Sequence, residues 1–295
     1  MKRVLIIFLA FLMVSPFTFA AKRAFLVGIS KYKFSTEWEP IHGSEDVELL
    51  KPELINQKFE VTTLTNAQAT HDNIINGLEV FIKKIKKGDI IYIHFSTHGQ
   101  PVEDYNHDER EKEHWDEAVV PYDAGIKITK NGYDGSKHIT DDVINKYVLQ
   151  IREKLGPKGA LYVVIDACHA GGTSRAGPTE TIRGTNEGLS RSGRKYNHVK
   201  AENKWQYSLL NRPDLAHTLF LEACTSKQTN HEIWIRGKQY GSLSYMVFLT
   251  IEDKKFQIST KPATFEQAVK QTIRESTEWK SQLSKKQHIV TEKSY

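Results

Sequence analysis

The sequence predicts a single α/β domain whose mostly parallel sheet carries helices on both faces. Short, nearly unbroken apolar runs of strand length recur along the chain. Between them lie stretches with apolar residues at helical spacing, and Gly, Pro or Asp punctuates the joins. Strands that are apolar throughout, alternating with helices, belong to parallel sheets buried on both sides.

Ala24–Ile29 is the first such run, and Asp46–Leu50 opens a helix. Phe59–Leu64 is a second strand, because Val61, Thr62 and Thr63 favour extended backbone. Over 73–87, Ile74, Ile75, Leu78, Phe81, Ile82 and Ile85 form one helical stripe that Gly88-Asp89 ends. Ile90–Phe95 is a third strand. Asp141–Leu155 is helical, with Val143, Ile144, Tyr147, Val148 and Ile151 on one side and Gly156-Pro157 as its stop. Ala160–Ile165 and Thr218–Leu221 are further strands. Tyr245–Ile251 reads equally as helix or strand, and Phe265–Ser276 as a last helix. The domain is expected over 22–280, with 281–295 as a tail. Residues 173–204 are rich in Gly, Ser, Thr, Arg and Asn, without periodicity, and read as a long flexible insertion.

The chain opens with Met1-Lys2-Arg3, an apolar run from Val4 to Val14 and the small-residue exit Thr18-Phe19-Ala20. The run is too short to span a bilayer, so residues 1–20 read as a removable signal peptide. The expectation is an exported protein, periplasmic or secreted, without a stable membrane span after cleavage. Losing Lys2 and Arg3 lowers the formal net charge from +5 to +3. That balance makes no case for nucleic-acid binding. The acidic stretch 103–117 reads as a solvated loop. Cys168 and Cys224 are the two cysteines, which excludes a disulfide scaffold; Cys224 reads as a core thiol, a Cys168–Cys224 disulfide being the alternative.

Ligands of open α/β sheets bind beyond the carboxyl ends of the strands. Ile90–Phe95 runs into Ser96-Thr97-His98-Gly99, and Ala160–Ile165 into Asp166-Ala167-Cys168-His169-Ala170-Gly171-Gly172. If the two strands are neighbours, His98 and Cys168 leave the sheet side by side. A thiol nucleophile and its general base need that arrangement. His169 follows the nucleophile directly and cannot easily face it, so His98 is the base. The amides of Gly99 and Cys168 are candidates for an oxyanion hole, each donor worth about 3 kcal/mol in the transition state. No acidic third member of a triad stands out. His94, His98, His107 and His114 have no zinc-ligand spacing.

The Ser-Thr-His-Gly and Asp-Ala-Cys-His-Ala-Gly-Gly segments resemble the His-Gly and Asp-x-Cys-His-x-Gly motifs of metacaspases and their bacterial caspase-like relatives. Residues 24–32 resemble that family's first strand, and 220–224 with Gln228 and Glu232 a late strand and loop. The resemblance covers 22 to about 275 and implies a caspase-like three-layer fold and a cysteine endopeptidase cutting after Arg or Lys. It assigns the acidic pocket for that side chain to Asp166 and Asp46, with Ser96 on the wall. It also implies calcium held by Asp116, Asp141 and Asp142, although Arg175 stands near the place of a further family Asp. Its processing sites imply self-cleavage within 173–204, where Arg175, Arg183, Arg191, Arg194 and Lys195 are available; an uncleaved loop is the alternative. Two rival readings remain open: a catalytically silent homologue that binds peptides in the same cleft, and an enzyme of this scaffold preferring an acidic residue.

Overall fold

The computed structural model describes residues 20–105, 115–130, 132–168, 180–185, 187–197, 209–225, 227–252 and 255–294. In chain order, β1 (Lys22–Gly28) leads through α1 (Gly43–Asn56) to β2 (Phe59–Thr65), and α2 (His71–Lys84) returns to β3 (Ile90–Ser96). A small antiparallel sheet of β4 (Gly99–Glu103), β5 (Trp115–Val119) and β6 (Ile139–Thr140) follows. Then come α3 (Asp141–Leu155), β7 (Ala160–Asp166) and β8 (His217–Glu222). The hairpin β9 (Glu232–Ile235) and β10 (Lys238–Gly241), helices α4 (Ser242–Glu252), α5 (Pro262–Glu275) and α6 (Thr277–Gln282), and strand β11 (Val290–Ser294) complete the described chain.

Among the described residues the main sheet has six strands in the order β11-β8-β7-β3-β1-β2. All neighbours pair in parallel except β11, which runs antiparallel to β8. Every residue of β3 and of β7 is buried, as expected of strands covered on both faces. Alternate side chains feed two separate apolar layers. Phe25, Ile93 and Val163 meet α2 and α3 through Leu78, Phe81, Ile144 and Ile151. Leu26, Tyr92 and Tyr162 meet α1, α4 and α5 through Leu50, Val247 and Phe265. The predicted mixed α/β, mostly parallel, three-layer fold is therefore present. Its strand order reverses between β1 and β3, and the loops after those strands part there to leave a crevice at the carboxyl edge.

Three expectations change. Residues 281–295 are not a simple tail, because β11 completes the sheet by pairing Val290 with Glu222 through Ser294 with Thr218. The ambiguous segment at Tyr245–Ile251 is helix α4, whose Leu243, Met246, Val247 and Ile251 are buried. The described part of 173–204 is packed over 183–185 and at Leu189, while 191–195 is exposed: Arg183, Thr185 and Leu189 are buried, and Gly184 and Leu189 bridge to Cys168 and Val102. A segment laid extended into a cleft makes single backbone bonds and buries isolated side chains, so it carries no periodic signature. The expected signal peptide lies outside the described residues except for Ala20. Among the described residues, no helix is long and apolar enough to cross a membrane.

Candidate active site

The β3–β7 register pairs Ser96 with Asp166. His98 and Cys168 each follow that pair by two residues, so adjacent strands about 4.8 Å apart deliver imidazole and thiol to one lip of the sheet. His98 is 2 % exposed and its ring stacks on Trp38, with centroids 4.9 Å apart. Its main-chain N–H donates to Tyr32 Oη (2.7 Å), and Nε2 lies 2.8 Å from the Glu39 carbonyl. That carbonyl accepts only from an Nε2–H tautomer, leaving Nδ1 as the basic nitrogen. Nδ1 is buried with no hydrogen-bond partner. Burial lowers the His98 pKa to about 4, so the imidazole is neutral at pH 7. A backbone carbonyl thus holds the position where sequence reading found no acidic third member.

Cys168 is also buried. Its thiol donates to the Gln228 carbonyl at 2.9 Å, and the Cys224 thiol donates to Cys168 Sγ at 3.2 Å. Both cysteines are free, so the disulfide alternative is not formed. Cys224 sits just past the end of β8, where the hydrogen bond to Cys168 and burial push its thiol pKa well up.

Beside this pair, an arginine of the same chain fills the crevice. Arg183 is completely buried. Its Nη2 donates to Asp46 Oδ2 and Glu232 Oε1, both at 2.8 Å, and its Nε donates to Glu232 Oε1 at 3.0 Å. Nη1 donates to Ser96 Oγ at 2.5 Å. Asp46 and Ser96, the residues expected around a basic side chain, thus both touch the Arg183 guanidinium. Asp46 comes from the first turn of α1, after β1, and Ser96 ends β3. Asp166 meets the guanidinium less directly. Its carboxylate accepts from Ser244 N and Oγ and from Asn230 Nδ2, each at 2.7 Å, and its charge acts on Arg183, while its hydrogen bond to Arg183 runs through the main-chain oxygen, at 3.4 Å. A carboxylate at the start of α4 is held by that helix's free N–H groups, so Asp166 supports the pocket wall and contributes charge.

Glu232 is the partner that sequence reading did not assign. It accepts from Arg183 and also from the His42 N–H (2.7 Å), which is why its pKa falls below the usual range although burial opposes this. The only sequence signal was its position in the late loop. Burial raises Asp46 to about 7, Arg183 pulling it back and Asp166 pushing it further. Three buried carboxylates around one guanidinium make an expensive empty pocket and a favourable filled one.

The Arg183 main chain is equally informative. Its carbonyl accepts from Cys168 N at 2.8 Å and from Gly99 N at 3.4 Å, the two amides expected to form the oxyanion hole. Its N–H donates to Asn230 O (3.0 Å), Glu232 N donates to Thr181 O (2.9 Å), and Ile182 bridges antiparallel to His231. Residues 181–183 thus add a short strand beside 230–232, the way an extended peptide binds an exposed strand. The following Gly184 is pressed onto the nucleophile, since a Cβ there would lie 2.0 Å from the Cys168 carbonyl oxygen. His98, Trp38 and Gly184 share a cavity of about 360 Å³.

Asp116 lies in β5, and Asp141 and Asp142 open α3. Adjacent residues of β5 face opposite ways, so Asp116 and Glu117 point apart. The β5–β6 register pairs Ala118 with Thr140, and the charge of Glu117, like that of Asp141, reaches Glu222. Asp141 starts α3 and is buried, and Asp142 follows it in the same first turn. Burial, then the charges of Glu292, Glu117 and Asp141, raise Glu222 well above the carboxylate range. Among the described residues no group of three or more His, Cys, Asp or Glu side chains is arranged to hold a metal ion, and no chemistry is routed through calcium.

The profile of the metacaspase, peptidase C14 domain matches residues 22–175. Metacaspase-1 of Lodderomyces elongisporus is 25 % identical over 275 residues, covering 78 % of this chain and 57 % of that protein. Metacaspase-7 of Arabidopsis thaliana is 31 % identical over 163 residues, covering 52 % of this chain and 35 % of its own length. The chain spans less than two thirds of these relatives. Protein GSU0716 from Geobacter sulfurreducens shares the fold, with a TM-score of 0.59 at 17 % identity over 92 % of this chain and 93 % of that one.

Proposed function

Since this chain belongs to the metacaspase peptidase C14 family, we propose that it is a cysteine endopeptidase that cuts after arginine or lysine, and that its first substrate is its own Arg183–Gly184 bond. The observation that carries the reading is the seat of Arg183, whose side chain lies on Asp46, Glu232 and Ser96 while its carbonyl lies on the Cys168 and Gly99 amides.

The chemistry follows from those positions. Rotation about its Cα–Cβ bond turns the Cys168 thiol from Gln228 O towards the Arg183 carbonyl carbon. His98 Nδ1 takes the thiol proton, and the thiolate forms a C–S bond. The Cys168 and Gly99 N–H groups hold the oxyanion. The imidazolium, fixed through Nε2–H on Glu39 O, passes its proton to the Gly184 nitrogen as the C–N bond breaks. Water, deprotonated by His98, then attacks the thioester; the new carboxylate leaves and the thiol is restored. Cutting frees the arginine to withdraw, and the pocket becomes available to other chains. Export behind residues 1–20 belongs to the same proposal.

Intact-mass analysis of purified protein, with fluorogenic peptides ending in Arg, Lys or Asp, tests the reading. A fragment starting at Gly184, a mature chain starting at Ala21, hydrolysis of the Arg and Lys peptides, and loss of all cutting in Cys168→Ala are expected. Preference for the Asp peptide would overturn the basic specificity. Peptide binding without hydrolysis would leave a binding module instead.

A further inference from the structure

Two residues before Ile182 the same seated segment offers an acid. Glu180 Oε1 accepts from Lys286 Nζ, and its Oε2 lies 3.6 Å from His231 Nδ1. The hydrogen bond from Lys286 holds the Glu180 carboxyl below the usual range. We infer that Lys286, with His231 beside it, is the specificity-determining subsite for an acidic residue three positions before the scissile arginine, so that the preferred substrates are peptides of the form (Asp/Glu)-x-x-Arg. The inference rests on the proposed cleavage after arginine and adds to it.

The placement of Lys286 and of the His231 ring, which burial keeps neutral, is built into the fold. His231 lies on the strand that pairs with Thr181–Arg183, and its N–H donates to Gln287 Oε1 at 2.8 Å. Gln287 is fully buried, and its Nε2 also donates to Ser242 Oγ at 2.8 Å and to the Ala223 carbonyl at 3.1 Å. Lys286, its neighbour, is thereby held against the same strand that carries Asn230 and Glu232. Arg183 N–H bonds to Asn230 O, and Thr181 O accepts from Glu232 N. The spacing between the arginine pocket and Lys286 is thus set by one extended peptide paired along 230–232. Between them, Thr181 Oγ1 accepts from Gln239 Nε2 at 3.0 Å, which leaves the intervening positions to a hydroxyl contact and an apolar side chain. A cation in reach of this position attracts an acid and repels a base.

The test compares two peptides, Glu-Thr-Ile-Arg and Lys-Thr-Ile-Arg, each ending in a fluorogenic amide, on wild-type protein and on Lys286→Glu. The wild type is expected to prefer the Glu peptide by about tenfold in kcat/KM, the yield of a half-exposed ion pair gained in one case and a repulsion added in the other. Lys286→Glu is expected to invert the order. Self-cleavage of Glu180→Lys gives a second readout: it should slow, and recover in Glu180→Lys/Lys286→Glu. Equal rates on both peptides in both proteins would overturn the acidic subsite alone. No hydrolysis of either arginine peptide would overturn the cleavage reading and this inference with it.

Discussion

Asp46 shows how one side chain sets both selectivity and pH response. Its Oδ2 accepts from Arg183 Nη2 and Ser96 Oγ, and its Oδ1 accepts from Gly241 N at 2.9 Å. Asp46→Asn removes one charge of a buried pair while Glu232 remains. kcat/KM for arginine peptides should fall by about a hundredfold, the lower end of what losing one buried partner costs. Burial holds the Asp46 pKa at about 7 even with the guanidinium in place. The charged form binds the cation, so kcat, which reports the filled pocket, should be full above that pKa and fall as pH drops through it. The limb should vanish in Asp46→Asn; an unchanged limb there would assign it elsewhere. Ser96 and Asp46 were legible only through the resemblance to metacaspases. Asp166 was only half legible, because distance along the chain cannot tell a carboxylate facing the pocket from one facing the α4 N-terminus.

At the scale of elements, the segment after α6 does more than end the chain. Gln287 fixes His231 and Ser242, and β11 closes the sheet edge against β8. Gln287→Ala leaves several buried groups without partners, at about 1–3 kcal/mol. The melting temperature should fall by several degrees, at about 2–4 °C per kcal/mol for a domain of this size. Because His231 shares its strand with Asn230 and Glu232, KM for arginine peptides should rise more than kcat falls. A stability loss with KM unchanged would separate Gln287 from the site. The short β11, Val-Thr-Glu-Lys-Ser, holds a single apolar residue, which is why its sequence reads as tail; only the exposed edge of β8 makes it a strand. The two motif-bearing strands were legible for the opposite reason, being apolar throughout.

For the whole molecule, the seated Arg183 makes the unprocessed chain its own competitor. The segment is held in cis by the pocket, the two amides and the 230–232 strand, so self-cleavage should be first order. Its half-time, followed by gel or intact mass, should not change on tenfold dilution, and peptide hydrolysis should show a lag of matching length. A half-time that lengthens with dilution would mean that cleavage occurs between molecules.

The amino-acid sequence by itself determined the layered α/β fold, the delivery of thiol and imidazole to one lip of the sheet, and the placing of the Gly99 and Cys168 amides beside them. Each is written locally, as an apolar run followed by a short motif, and parallel pairing carries the motifs to one edge. Only the tertiary structure decided that Glu232 rather than Asp166 grips the guanidinium, that Glu39 offers its carbonyl to His98, and which of seven basic residues in 173–204 lies in the pocket. These depend on loops meeting from distant parts of the chain. The partner of a buried charge is chosen by desolvation at that meeting point, and no periodicity along the chain records it.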